Sequence, residues 1–461
     1  RAVYPYPGTE DRSRSRSHCC RCAQGRQCSC KKIITNEYTQ NTDQMDHQFQ
    51  LPGSYKKWTY GLIGAGVIAL VWGLIMYHPF EHAGHGEHAD STRFWAVLLQ
   101  NSVFFLLVVN AAMFFICVTT MAMGGWVIAF RRVSEAISSV VPILGILTFV
   151  ILMAIVFGGR TDIYHWLDTD AVAKDHILTG KSGFLNIKFY TIWSALTIFL
   201  WWFLGKKMRS LSLQSDKEGH MDYETGKKWI WKNTVWASLY TIVFTLTVAS
   251  TIPWLWLMSI DAHWYSTMYS WYTFASTFVS GVSLIALFVI YLKNRNELPY
   301  VTEEHLHDLG KFMFAFSVFW TYLWFSQYML IWYSNQPEET KYFIERIGTA
   351  TKAGPYKAIF FLNLIINFLC PLLILMKKGT KRNWTMVTFM AVLIIFGHWL
   401  DFFQMVMPGT VHGHYHLMPF EFGIACLFIG LIMWGTGNYL SKHSLLAKNH
   451  PFLKESMIHH T

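Results

Sequence analysis

The chain has 461 residues, of which 53% are hydrophobic and 17% aromatic, while only 14% are charged, and its mean hydropathy is +0.27. A soluble domain carries about 25% charged residues, so this composition excludes a disordered chain, a coiled coil and an ordinary cytosolic enzyme and points to a polytopic membrane protein. A net charge of +10 is then a topology signal, because nucleic acid binding would need those charges gathered on one basic face.

In chain order, residues 1–44 stand apart. They open on Arg1, precede the first methionine, Met45, and hold Cys19, Cys20, Cys22, Cys28 and Cys30, more than half of the chain's 8 cysteines. Thiolates so close together suit zinc or an iron–sulfur cluster. The pattern CCRC…CSC lacks paired C-x-x-C spacing, however, and no apolar run follows as in a secretory signal. The expectation is a disordered or non-native leader upstream of Met45, followed by a short cytoplasmic stretch at 45–58.

A bilayer core of roughly 30 Å needs about 20 apolar residues per helix. Ten stretches reach that length: 59–77, 95–123, 140–158, 187–204, 234–257, 271–292, 312–333, 356–376, 384–406 and 418–440. Past their first two residues none carries Lys or Arg, although the chain has 38. Backbone groups in lipid must pair within their own segment, and no dyad alternation of barrel strands is visible. The predicted fold is all-α, a transmembrane domain over 59–440 with a tail at 441–461.

Lys and Arg alternate between connections. One set holds Lys56, Lys57, Arg131, Arg132, the cluster at 206–232, Lys293, Arg295, Lys311, Lys377, Lys378, Lys381, Arg382, Lys442, Lys448 and Lys454. The opposite set holds fewer than half as many: Arg93, Arg160, Lys174, Lys181, Lys188, Lys341, Arg346, Lys352 and Lys357. The positive-inside rule then puts both termini in the cytoplasm. Segments 159–186 and 258–266 are expected to fold over the opposite membrane surface.

Intramembrane polar residues are few. Of 20 histidines, only His398 lies well inside a stretch, which leaves no ligand pair for a haem or haem–copper centre. C-x-x-C-H is absent too, so no resident cofactor is expected. Of 28 acids, Asp401 is the one clearly inside, while Glu421 sits near the start of the last stretch. Burying an aspartate costs at least about 2.5–3.5 kcal/mol on the insertion scale, so its retention asks for a reason. His398 and Gln404, three residues to either side, share its helical face. Asn363 and Asn367, just before Pro371, are placed to face it from a neighbouring helix. This group either passes protons or binds a quinone carbonyl, or it ties helices together.

Other features keep two readings each. Trp320 and Trp324 fall mid-stretch, where aromatic belts do not account for them; they stack on a quinone or pack against protein. Ser276, Ser280 and Ser283, like Thr241 and Thr245, read first as interhelical glue, and Cys117, Cys370 and Cys426 as small packing residues. His78, His82, His85 and His88, with His412, His414 and His416, either bind copper or zinc or form a solvated, partner-facing surface.

Four segments carry a family resemblance. SIDAHWYSTMYSWYTFASTFVSG (259–281) and HDLGKFMFAFSVFWTYLWFSQYMLIWYSNQPEE (307–339) resemble the ActF-type subunit of bacterial alternative complex III, as do LTGKSGFLNIKFY (178–190) and GHWLDFFQMVMPGT (397–410). The resemblance runs from Trp58 to the C-terminus and leaves 1–44 without a counterpart. It implies a polysulfide-reductase-like (NrfD-like) membrane anchor, with two four-helix bundles plus two further helices, in a bacterial inner membrane. Such a complex oxidises menaquinol and passes electrons through iron–sulfur and multihaem cytochrome c subunits to a cytochrome c or a terminal oxidase. A paralogous membrane subunit houses the main quinol site. This chain is then expected to scaffold the complex without haem or cluster, with Asp401 and His398 candidates for a proton half-channel or a secondary quinone contact. Two other classes compete. A stand-alone proton-coupled transporter would show inverted repeats with broken helices, yet Pro253 and Pro371 fall at non-matching positions. A copper monooxygenase subunit would use the external histidines.

Overall fold

The computed structural model describes residues 49–80, 89–219, 221–349, 351–413 and 419–460. The expected leader at 1–44 lies outside them, as do His82, His85, His88, His414 and His416. The described residues form no β-strand, only one isolated bridge between Gly348 and Ala353.

Ten long helices follow the expected stretches, with ends extended into the connections. They are α1 (Gly53–Met76), α2 (Ala89–Met121), α3 (Val141–Phe157), α4 (Ile187–Glu218) and α5 (Tyr223–Trp256). The second half holds α6 (Met268–Asn294), α7 (Glu303–Ser334), α8 (Lys357–Leu375), α9 (Trp384–Thr410) and α10 (Pro419–Lys442). Among the described residues, nine helices are long and apolar enough to cross a membrane, and α7 is not among the nine. Its length of 32 residues suffices; its indoles, phenols, Ser317, Ser326 and Gln327 lower its apolar character.

Helix α5 contains a π-turn at Thr247–Thr251, and α8 one at Ile365–Leu369. Pro253 and Pro371 lack the N–H that would bond the carbonyls of Ala249 and Asn367, and each orphaned carbonyl falls inside its π-turn. The turn in α8 carries Asn367 and begins two residues after Asn363.

Helices α2 and α6 form the centre, with 89% and 83% of their apolar windows buried, while α1 is peripheral at 17%. Helix α2 packs against α3, α5, α6, α9 and α10, and α6 also against α7 and α9; α1 leans on α10. At one end of the bundle the C-terminal segment docks. Ser456 Oγ donates to the Trp126 carbonyl at 2.8 Å and accepts the Ala129 N–H at 3.0 Å. His459 Nε2 lies 2.7 Å from Asp308 Oδ2, and Asn449 donates to the Ser215 carbonyl. At the other end Arg160 donates to Ser91, Thr92 to Asp162 and Lys181 to the Ala262 carbonyl. The connections that the Lys and Arg pattern grouped are thus in contact with one another.

Two charge assignments need correction. Arg131 and Arg132 are not loop charges: they begin a short helix, Arg131–Ser138, and are 2% and 1% exposed. Both donate to Glu135, at 2.9 and 3.0 Å, and Arg132 also pairs with Asp216 of α4. Glu421, in the first turn of α10, is fully buried, and Arg93 reaches it at 2.5 Å. Each carboxylate stays buried because a cation meets it, and removing one partner of such a pair costs about 3–5 kcal/mol.

Candidate functional site

Asp401 sits midway along α9 and is fully buried. Three donors from three helices converge on it. Tyr272 of α6 donates its hydroxyl to Oδ1, Asn363 of α8 donates to the same oxygen at 2.9 Å, and Trp320 of α7 donates to Oδ2 at 3.0 Å. Every close neighbour donates and none accepts, an environment built for a carboxylate as acceptor. Such a network holds its members in one geometry, and an unmet bond in it costs about 1–3 kcal/mol.

His398 lies 3.7 Å from Asp401 Oδ2, beyond hydrogen-bond reach, and its Nδ1 is 3.0 Å from Ser276 Oγ. Its Nε2 has no partner among the described residues. The ring stands edge-on to Trp320, centroids 5.2 Å apart. Asn367 reaches Asp401 only through Asn363, donating to that amide at 2.5 Å. Ser280 and Ser283 bond carbonyls of their own helix, as glue residues do.

Beside Asp401 is a cavity of about 20 Å³, lined by Tyr272, Trp324, Gln327, Tyr342, Arg346 and Gln404 among others. That is room for one water molecule, far short of the several hundred Å³ of a small-molecule pocket. Trp324 lines this cavity, stacks on Trp320 and packs against Phe360, 5.0 Å between centroids. Tyr322 points outward, 62% exposed. A wider hollow of about 520 Å³ lies by Phe49, Lys56 and Trp434, and none of its lining residues has a buried unpartnered atom.

The cavity leads toward the connection after α7, where the helix Pro337–Ile347 carries Tyr342, Glu345 and Arg346. Burial pushes the Tyr342 phenol up to about 12. Glu345 is half-buried, and burial first, then the nearby Asp261 carboxylate, hold its carboxyl above the usual range. His165, on the same face, is held below its ordinary value by burial, against the pull of Asp261.

Of the residues the sequence brought forward, Asp401, Gln404 and Trp324 line the cavity, Trp320 and Asn363 bond Asp401, Asn367 reaches it only through Asn363, and His398 lies beside Trp320 without a bond to Asp401. The sequence missed Tyr272, because a tyrosine in an aromatic run resembles any interfacial one, and Arg346, because an arginine outside the apolar stretches reads as a surface charge. Of the external histidines, His78 and His412 are described, each with positive φ. Among the described residues no group of three or more His, Cys, Asp or Glu is arranged to hold a metal ion.

No protein-family model matches the chain, and no curated protein matches it by sequence.

Proposed function

We propose that this chain is a cofactor-free membrane subunit of a quinol:cytochrome c oxidoreductase of the alternative complex III type. In this reading it crosses a bacterial inner membrane ten times, as two four-helix bundles plus two helices, with both termini cytoplasmic. Its partners are the paralogous quinol-binding membrane subunit, the iron–sulfur subunit and the multihaem cytochrome c subunits, with a terminal oxidase as a further neighbour. Menaquinol is the substrate of the assembly, and the haem c and clusters belong to those partners. The residue patterns at 259–281 and 307–339 support the family.

The role within the complex rests on one observation: a fully buried aspartate held by three donors beside a one-water cavity. That favours proton handling over quinone contact, since a quinone ring has no room there. Asp401 alternates between accepting these hydrogen bonds and carrying a proton, with His398 and Ser276 on one side and the cavity on the other. The remainder of the chain scaffolds the assembly.

Asp401→Asn tests this in the intact complex. The amide keeps the shape but cannot carry the proton, so quinol-driven proton uptake and turnover should fall at least about tenfold with subunit composition unchanged. Turnover and proton uptake equal to wild type would remove the role. The family reading has its own test: the tagged chain should co-purify with c-type haem absorbance, a large iron–sulfur subunit and a second ten-helix protein. A colourless, monodisperse single chain would instead indicate a proton-coupled transporter with Asp401 as its coupling site.

A further inference from the structure

One turn beyond Asp401, α9 meets the helix Pro337–Ile347, and the contact is made by an arginine. Arg346 is 1% exposed. Its Nε and Nη2 donate to the Gln404 carbonyl at 3.1 and 3.0 Å, and its Nη1 donates to the Tyr342 carbonyl at 2.6 Å. The guanidinium carbon lies 3.3 Å from the centre of the Tyr342 ring. That ring is itself stacked on Trp264 at 4.1 Å. Among the described residues no carboxylate forms an ion pair with Arg346. A buried cation lacking a counter-ion is expensive; carbonyl bonds and an aromatic face offset the cost and fix the guanidinium in place.

The position of this fixed charge matters. Arg346 lines the one-water cavity together with Asp401 and Gln404, and Gln404 Nε2 is a buried donor with no partner among the described residues. Glu345, the residue before Arg346, has the Asp261 carboxylate and His412 near it and is paired to Lys341 at 3.7 Å. A fixed arginine in a constriction excludes cations and protons. The guanidinium thus stands between the helix Pro337–Ile347 and the buried carboxylate.

We infer that Arg346 is the cation barrier of the Asp401 chamber, a selectivity-determining residue that closes the chamber toward the Pro337–Ile347 face. The inference rests on the reading of Asp401 as a proton carrier in contact with the opposite end. Tyr342 and the Gln404 carbonyl hold the barrier in position, and the cavity behind it has room for one water molecule. A fixed charge here keeps Asp401 from short-circuiting the two sides.

The test is passive flux through the purified full chain in sealed vesicles, driven by an imposed potassium diffusion potential. Arg346→Gln removes the charge and retains hydrogen-bonding capacity; its proton leak should exceed wild type by about tenfold or more. Arg346→Lys keeps the charge and should stay within about twofold of wild type. Adding Asp401→Asn to Arg346→Gln should abolish the leak. Two results would overturn the inference: an Arg346→Gln protein of unchanged thermal midpoint that is as tight as wild type, or a leak that persists in the double variant and also passes sodium. Neither depends on quinol turnover, so failure here is distinct from failure of Asp401→Asn in the working complex.

Discussion

His305 serves two contacts at the first turn of α7, and the first requires an unprotonated Nδ1. Its Nδ1 accepts the Thr302 N–H at 3.1 Å, closing a capping box with the Thr302 side chain, and its Nε2 lies 3.4 Å from Ser456 Oγ in the docked C-terminal segment. Burial lowers its pKa from 6.5 to about 4. The contribution is therefore fully present above the unfolded value and is lost as pH falls toward the folded one. At about pH 5 the loss reaches about 2 kcal/mol. Glutamine at this third helical position is a standard capping-box residue and does not titrate. In His305→Gln, the fall in thermal midpoint between about pH 7.5 and about pH 5 should shrink by about 2–4 °C. An identical fall in variant and wild type would show that the ring's titration is irrelevant. His450, also buried and held well below its ordinary value, should supply part of the remaining slope. Residues of this kind were not legible in the sequence, where His305 is one of 20 histidines in a polar connection. Asp401 was legible because a carboxylate in an apolar run has no inexpensive explanation. Arg132 was not, because its partner Asp216 lies 84 residues away and local pattern carries no such pairing.

Between helices, the contact of α1 with α10 turns on glycines. A Cβ on Gly66 would lie 2.3 Å from Leu427 Cβ and 2.6 Å from Leu427 backbone atoms; one on Gly430 would lie 2.9 Å from the Ile63 nitrogen. Close backbone approach of this kind replaces the missing hydrophobic drive between helices in lipid. Gly66→Ala should loosen α1 from α10, where Tyr55 still bonds the Met433 carbonyl and Tyr77 packs on Phe420, while the rest of the bundle stays folded. Gly61 is a control in the same helix, with nothing within 4 Å of its added Cβ, and Gly61→Ala should be neutral or stabilising by up to about 1 kcal/mol. With the chain cut between α1 and α2 at an engineered protease site, retention of the α1 fragment by the rest of the bundle in mild detergent reads the contact, and equal retention in the two alanine variants would sink the argument. The sequence reported the helices well, because an apolar run of bilayer length has one solution in lipid. It did not report the π-turns, although both prolines responsible were in view. A proline announces a lost hydrogen bond without saying whether the helix kinks, ends or widens.

For the molecule as a whole, the open matter is whether α7 makes a tenth crossing, and geometry and hydropathy give different weights to it. By apolarity α7 falls outside the nine qualifying helices. Yet its N-terminal turn bonds the C-terminal segment through His305 and Asp308, while the helix that follows it reaches the Gln404 carbonyl on the far side of Asp401. Its 32 residues span about 48 Å, more than a bilayer core. It thus runs from one end of the bundle to the other, and its mid-helix Trp320 is buried against Asp401 and His398. The consequence can be measured. Between the exposed residues Asp222 and Thr351 lie α5, α6 and α7. Three crossings put the two positions on opposite sides of the membrane; two crossings put them on the same side. With the other reactive cysteines replaced, Asp222→Cys should react with a membrane-impermeant maleimide only in inverted vesicles, and Thr351→Cys only in right-side-out ones. Labelling of both from one side would remove α7 from the membrane. It would also break the alternation of Lys and Arg on which the placement of the C-terminus rests.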